Sequence, residues 1–445
     1  MYWKEMEIMM DYLYIDEKGP QETIRKITVP FDKAKKLKYG DDDMHIYVAD
    51  MVRIPYEKLS NIENEYVELE KNYLETRHFK EGRELKGKDI IKNNFKYGVA
   101  SLKKNELSFC RHLFEMLLKY DIDNLLFSIS KMALLIDSRL NDWILDIGHY
   151  YQYSSIKLKY ILTKYAEVEA SEDVIKSLLD KTMNIKKVLQ IIKCDINNII
   201  DCNKDNKRMK LQIWSYQQIV NLIQMTENQE IREPANKAVF NWEKVTYNIG
   251  LWGAEKKLDG TPLNKMTVIL DEGIPKAPFE SLGFHKVQEE NKSNEVVGLR
   301  IADMLVVIAG NYMSKLSADT IYDFEKPDKR KILSCDWFRL NKDQFEVICL
   351  LNEFFLKENQ KYCFIVDTYF DDGVLFENYL KYVSSFEAFS EYSKVSAAEH
   401  SEKHFRITAK NMKKRWALSG KLENISISCY GSLREAINQG MFHPL

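Results

Sequence analysis

Gly298-Leu299-Arg300-Ile301-Ala302-Asp303-Met304-Leu305-Val306-Val307-Ile308-Ala309 is the stretch on which the fold turns. Between Ile301 and Ala309, Asp303 is the only charge. A helix that is apolar on nearly every face is buried, so the segment from about 298 to 313 reads as a core helix. A buried carboxylate is costly unless it is paired, protonated or bound to a metal. The bland account of Asp303 is an internal ion pair, with Arg300 or Lys86 as partner. The sharper account needs more acids at the same place.

Strand patterns on both sides of the chain supply them. Met266-Thr267-Val268-Ile269-Leu270 is a strand candidate that ends at Asp271-Glu272-Gly273. Met9-Met10-Asp11-Tyr12-Leu13-Tyr14-Ile15 is another, closed by Asp16-Glu17-Lys18-Gly19-Pro20 as a turn. His45–Val52 and Asn124–Ser130 add two more, the second after a helix near 104–120. Between these flanks, residues 149–233 contain neither proline nor glycine. Apolar residues there recur at helical spacing, as in Val174, Leu178, Leu179 and Val188, Leu189, Ile191, Ile192. Ala170-Ser171-Glu172-Asp173 reads as a helix start capped by Ser171, and Cys202–Asn206 as a loop. The expected architecture is one α/β domain with a mixed sheet, built from 1–135 and 251–320 and interrupted by a helical insertion over 136–250. Long insertions at loops cost little closure entropy. After a charged linker at Lys326–Lys331, strand patterns at Ile332–Cys335 and Tyr362–Val366 and helical patterns over 341–358 and 374–393 suggest a separate C-terminal α/β domain, 321–445.

Composition narrows the function classes. The chain has 445 residues, which at about 150 per domain is roughly three units. It is 45% hydrophobic and 30% charged. Its 65 basic and 67 acidic residues give a net charge of −2, so no whole-chain basic field holds nucleic acid and any such contact needs local patches. No run of 18 apolar residues occurs, so no membrane-spanning helix is expected. The start of the sequence lacks a signal-peptide pattern, and most of the seven scattered cysteines read as reduced, packed thiols of a cytoplasmic protein.

Four acids stand out by position: Asp16 and Asp271 at strand ends, Asp303 in the apolar helix, and Glu84 in Arg83-Glu84-Leu85-Lys86-Gly87. A sheet edge delivers side chains from several strands to one place, on rigid backbone. A cluster of carboxylates there does not stay ionised without cations. Mg²⁺ and Mn²⁺ favour oxygen ligands, and two such ions about 3.5–4 Å apart support phosphodiester hydrolysis.

At these residues the sequence resembles the Domain of Unknown Function 3800 family. Tyr12-x-Tyr14-Ile15-Asp16-Glu17-x-Gly19 resembles its opening Y-x-D-E-S-G, Glu84-Leu85-Lys86 its E-[IL]-K segment, and Gly298-Leu299-Arg300-Ile301-Ala302-Asp303 its closing G-L-Q-[LI]-A-D. The strand ending at Asp271 falls where the family has another acid. The resemblance covers about 1–135 and 255–320. It implies an RNase H-like fold and a nuclease dependent on Mg²⁺ or Mn²⁺, with Asp16, Glu84, Asp271 and Asp303 as catalytic metal ligands. It places Glu17 and Glu272 as adjacent acids behind the ligands. Lys86 would neutralise the cluster or touch a scissile phosphate, and Gly19 would permit the turn. Lys18 stands where the family has serine and Arg300 where it has glutamine, which bears on substrate contacts rather than on metal binding. A defence role against phages or mobile elements is an expectation carried by the resemblance alone.

Other features carry less. The eight histidines show no metal-binding spacing, and His149 and His285 read as packing and surface residues. Asp367, Asp371 and Asp372 read as a solvated loop. No phosphate-binding loop or nucleophile elbow is present. Basic patches lie at Lys33, Lys35, Lys36, Lys38; at Lys204, Lys207, Arg208, Lys210; and at Lys410, Lys413, Lys414, Arg415 with Trp416. The third is the expected nucleic-acid contact, because Trp416 can stack on a base. The alternative from another class is a non-catalytic module of the same fold, acting on a protein or nucleic-acid partner through the insertion and the C-terminal region.

Overall fold

The structure is a computed structural model and describes residues 10–18, 44–79, 83–91, 94–233, 242–258, 262–320, 330–356, 366–367 and 370–439. β1 (Asp11–Lys18) pairs antiparallel with β2 (Ile46–Ile54). Helices α1 (Tyr56–Thr76), α2 (Gly87–Ile91) and α3 (Lys104–Lys119) then lead to β3 (Asp123–Ser130), antiparallel to β2. Arg53 bonds Asp11 and Asp123, each at 2.5 Å, and so ties the three strands together at one end.

A run of helices follows: α4 (Lys131–Tyr151), α5 (Ser155–Val168), α6 (Glu172–Leu179), α7 (Ile185–Cys202), α8 (Lys210–Thr226) and α9 (Glu243–Leu258). β4 (Met266–Asp271) returns parallel to β1. After α10 (Ala277–Glu280), β5 (Lys286–Asn291) pairs parallel with β4. α11 (Val297–Thr320), α12 (Lys342–Phe355), β6 (Val366–Asp367), α13 (Phe370–Val383), α14 (Phe389–Tyr392), α15 (Ala397–Tyr430) and α16 (Leu433–Asn438) complete the chain. The sheet order is β5-β4-β1-β2-β3-β6, a mixed sheet in an α/β protein. Of the strands expected from the sequence, the four before residue 320 form as β1 to β4.

Both faces of the sheet are buried. Tyr14, Ile46, Val48 and Val52 share one core with α11, while Leu13, Ile15, Tyr47, Ala49 and Met51 face Trp242, Ile249, Trp252 and Phe279. α11 lies close against the sheet because Gly298 leaves room: a Cβ there would meet the Tyr14 ring at 2.4 Å. Length and composition alone would let α11 cross a membrane, yet 83% of its apolar window is buried inside the fold.

The insertion has a core of its own, built from α4 to α8 around Trp143, Tyr165, Val188, Ile192 and Ile219. α9 leaves that core and covers the second face of the sheet. Ser171 sits at the start of α6, but its hydroxyl makes no cap bond; its backbone N–H donates to Asp195 at 3.3 Å instead.

The segment after 320 differs from the expected separate domain. Phe345, Ile348 and Leu351 of α12 and Phe376 and Tyr379 of α13 lie in one core with Tyr14, Ile46 and Leu305. Ile332–Cys335 forms no strand; Cys335–Phe338 is a short 3₁₀ helix. Residues 361–365 lie outside the described ones, and β6 extends the main sheet beside β3. A two-residue strand cannot make a sheet alone, so this segment completes the first core. α15 then reaches across to the insertion, where Glu423 accepts from the Ser155 backbone N–H at 2.7 Å and from Ser154 Oγ at 2.5 Å. The thiols also differ from expectation: Cys110 is buried, but Cys194, Cys202 and Cys429 are exposed.

The N-terminal half of α15 brings an acid-sensitive group into the core. His404 is 1% exposed, and burial pushes its pKa down to about 4. An unfolded histidine titrates near 6.5. Between those values the unfolded chain takes up a proton that the folded chain refuses, so stability is lost as pH falls through this window. His404→Gln is expected to remove about 2 kcal/mol of the stability lost between pH 7 and pH 4.5. Urea unfolding at the two pH values measures it, and an equal acid loss in both proteins refutes it.

Candidate functional site

Asp16 and Asp271 come together by strand register. β1 and β4 are parallel, with Ile15 opposite Leu270, so the next residues, Asp16 and Asp271, lie side by side. Both sit on the face covered by α11, because Tyr14 and Ile269 on that face are two residues earlier. Each carboxyl group acts on the other. Asp303, in the second turn of α11, comes down onto the same spot. Asp16 is 5% exposed. Burial, then the Asp303 and Asp271 carboxylates beside it, hold its pKa well above the ordinary range. Burial and Asp303 also raise Asp271. Asp303 is raised by burial and by Glu84, against the Gly87 N–H and the Lys86 and Lys18 charges.

Glu84 joins through a loop docked on α11. Leu85 is buried in the core, and the Gly87 backbone N–H donates to Asp303 Oδ2 at 2.7 Å. Gly87 allows that contact: a Cβ on it would lie 2.7 Å from the Val307 Cβ. Lys86 Nζ lies 2.7 Å from Glu84 Oε1 and donates to Ser293 Oγ at 2.6 Å, while Ser293 Oγ donates to Glu84 Oε1 at 2.9 Å. The Glu84-Leu85-Lys86-Gly87 segment and the α11 segment are therefore physical partners. Arg300 does not pair with Asp303; its Nη1 donates to Glu70 Oε2 of α1 at 2.6 Å. Burial, helped by Glu84 and opposed by Arg300, pushes Glu70 up to about 7.

Other expected residues fall differently. The Glu17 side chain lies on the opposite face of β1, where Tyr47 OH donates to it; its backbone N–H donates to Asp16 Oδ1 at 2.6 Å, and its charge helps raise the Asp16 pKa. Glu272 is exposed and likewise serves Asp271 through its backbone N–H. Asp372 is no solvated residue: it is 1% exposed and lies 2.9 Å from His45 Nε2. His285 is exposed. Gly19 and the lysines from 33 to 38 lie outside the described residues.

In the third basic patch, Lys410, Lys413 and Lys414 are exposed on α15, whereas Arg415 pairs with Glu377 at 2.5 Å. Trp416 packs edge-on against Tyr160, with ring centroids 4.7 Å apart, and so anchors α15 to the insertion. This differs from the expected base-stacking platform.

Sequence reasoning missed Asp50. It stands opposite Asp16 in β2, on the same face, and is fully buried. Asn124 donates to its Oδ1, and among the described residues its Oδ2 has no partner. Burial holds it well above the ordinary carboxylate range. The signal was available: an acid inside the otherwise apolar run Ile46-Tyr47-Val48-Ala49-Asp50-Met51-Val52. Ser293 and Glu70 carried no such signal.

The donors around Asp16 are all oxygens, a set that suits Mg²⁺ or Mn²⁺ in kind. Among the described residues, no three His, Cys, Asp or Glu side chains are gathered as a finished ligand group. Comparison with protein families, curated proteins and solved structures finds no match for this chain.

Proposed function

We propose that this chain is a divalent-metal-dependent nuclease of RNase H-like fold. The observation that carries the proposal is the register that sets Asp16 of β1 beside Asp271 of β4, with Asp303 of α11 near enough to raise the pKa of both. Buried like charges cost stability and persist where a function needs them. The antiparallel β1-β2-β3 meander, extended by parallel β4 and β5, supports the fold assignment. So do the paired motifs that resemble the Domain of Unknown Function 3800 family.

Asp16, Asp271 and Asp303, with Glu84 at the rim, would hold the ion. Bound there, Mg²⁺ or Mn²⁺ supplies an activated water and neutralises charge on the phosphate. The chain's own groups set the frame for this. Gly87 fixes Asp303 by one oxygen, and the Glu17 and Glu272 backbone N–H groups orient Asp16 and Asp271. The test is cleavage of single- and double-stranded RNA and DNA with Mg²⁺ or Mn²⁺, with EDTA as the control.

A second reading has one observation in its favour. The Lys86 ammonium already neutralises Glu84, as a binding module without catalysis would allow. Binding without cleavage of any of the four substrates would select it.

The exposed lysines of α15 are the expected phosphate contacts. Changing Lys410, Lys413 and Lys414 together to glutamate should weaken nucleic-acid binding and reduce the salt dependence by about 0.7–0.9 for each phosphate no longer neutralised. Fluorescence anisotropy across a salt series measures this, and an unchanged slope and affinity would remove the patch from the interface.

A further inference from the structure

The outward side of α15 carries an apolar seam that the fold leaves uncovered. Leu418, Leu422, Ile425 and Cys429 follow one another at spacings of four, three and four residues, the pattern of one strand of a two-helix coiled coil. Leu418, Leu422 and Ile425 are 57%, 48% and 59% exposed, and Cys429 is exposed as well, so no described element covers them. The other side of the helix is fixed. Trp416 packs on Tyr160, and Glu423 accepts from Ser154 and Ser155 of the insertion. The seam is therefore held in place before any partner arrives, which lowers the entropy cost of binding. Its flanks are Ser419, Lys421, Ser426 and Ser428, small or flexible side chains that let another helix approach.

We propose that this seam pairs with the same seam of a second copy of the chain, antiparallel, about a two-fold axis. That register sets Leu418 against the partner's Cys429 and Leu422 against the partner's Ile425, so the strip is complementary to itself. Charge selects both the occupant and the direction. Beyond Arg415, Lys421 is the one charged side chain among the exposed residues of α15, and antiparallel order puts it beside the partner's Ser428 rather than beside its own copy. Phosphate has little to hold on a strip with one cation, which sets this half of α15 apart from the lysines before it. The cationic half, with Lys410, Lys413 and Lys414, then points toward the end of the partner's α15. There the helix stops at Tyr430, its last carbonyls carry negative dipole charge, and Glu435 is exposed. Parallel order would instead lay two cationic halves side by side. A seam of four side chains buries less than the roughly 800 Å² per partner of a standard interface, so the dimer is expected to dissociate on dilution. The inference goes beyond the nuclease reading and needs neither the carboxylate pocket nor a nucleic acid.

The experiment is sedimentation equilibrium of the full chain in reductant, over a dilution series that spans the micromolar range. Wild type is expected to pass from monomer to dimer as concentration rises. Leu422→Glu places a charge in the seam at a position already half exposed. It is expected to keep its circular dichroism spectrum and to weaken the dimer by at least about tenfold. Direction is read by oxidation. Leu418→Cys is expected to form a disulfide-linked dimer through native Cys429, a link that adding Cys429→Ser removes. Wild type that stays monomeric at every concentration, or a dimer that Leu422→Glu leaves unchanged, would overturn the inference. Monomeric wild type that sediments with phosphatidylserine vesicles, where Leu422→Glu does not, would give the strip to a lipid surface instead. A dimer that Leu418→Cys fails to link, or a wild-type dimer linked from Cys429 to Cys429, would overturn the antiparallel order.

Discussion

Asparagine in place of Asp303 is expected to abolish divalent-ion-dependent cleavage while the protein stays folded. The amide keeps the shape of the carboxylate and an acceptor for the Gly87 N–H, so the docking of the Glu84 loop on α11 survives. What would be lost is negative charge at the proposed ion. Charge stabilisation by a bound metal contributes several kcal/mol. Since each 1.36 kcal/mol is tenfold in rate, a fall of about a thousandfold is expected. Asp16→Asn should behave alike. Both variants should also gain about 1 kcal/mol of stability in EDTA, because a buried carboxylate facing like charges has been neutralised. Loss of cleavage with a raised unfolding midpoint separates a functional from a structural effect. Full cleavage by both variants would remove these acids from the chemistry.

The second large effect comes from one methyl group. In Gly298→Ala, the new Cβ would lie 2.4 Å from the Tyr14 ring. Alanine gains about 1 kcal/mol of helix propensity over glycine, while overpacking a core costs about 1–3 kcal/mol. Tyr14 is buried between α11 and the sheet and has nowhere to retreat, so a net loss of about 1 kcal/mol is expected. The same substitution at Gly420, within α15, meets nothing within 4 Å. There only the propensity gain of about 1 kcal/mol should remain. Opposite signs for the two variants in chemical denaturation would establish that α11 is held at contact distance by Gly298. Equal effects would contradict it. Because Asp303 rides on α11, Gly298→Ala should also weaken Mn²⁺ binding.

Much of this arrangement was legible in the residues. β1 to β4 show in runs of aromatic and β-branched side chains that end at turn residues, and α11 in an apolar stretch broken only by Asp303. The long insertion shows in the absence of proline and glycine over 149–233. Asp16, Asp271 and Asp303 stood out because each follows or interrupts such a run. β5 was hidden because Lys286-Val287-Gln288-Glu289-Glu290-Asn291 has a single apolar residue. An edge strand paired on one side only needs no more. The merging of the C-terminal segment into the first core was hidden too. Helical periodicity shows that a face is buried, but not against which partner. Glu17 illustrates the period-two rule: one step along β1 from Asp16, its side chain leaves the site for Tyr47. Asp372 and Trp416 read as surface residues because their partners, His45 and Tyr160, are distant in sequence.

Soaking crystals of the protein in Mn²⁺ and computing an anomalous difference map is the most direct trial of the carboxylate pocket. The expected result is a strong peak within coordination distance of the Asp16 and Asp303 oxygens, with Asp271 as a further ligand. Mn²⁺ bound elsewhere, with those three side chains keeping only each other and the Gly87 N–H, would contradict it.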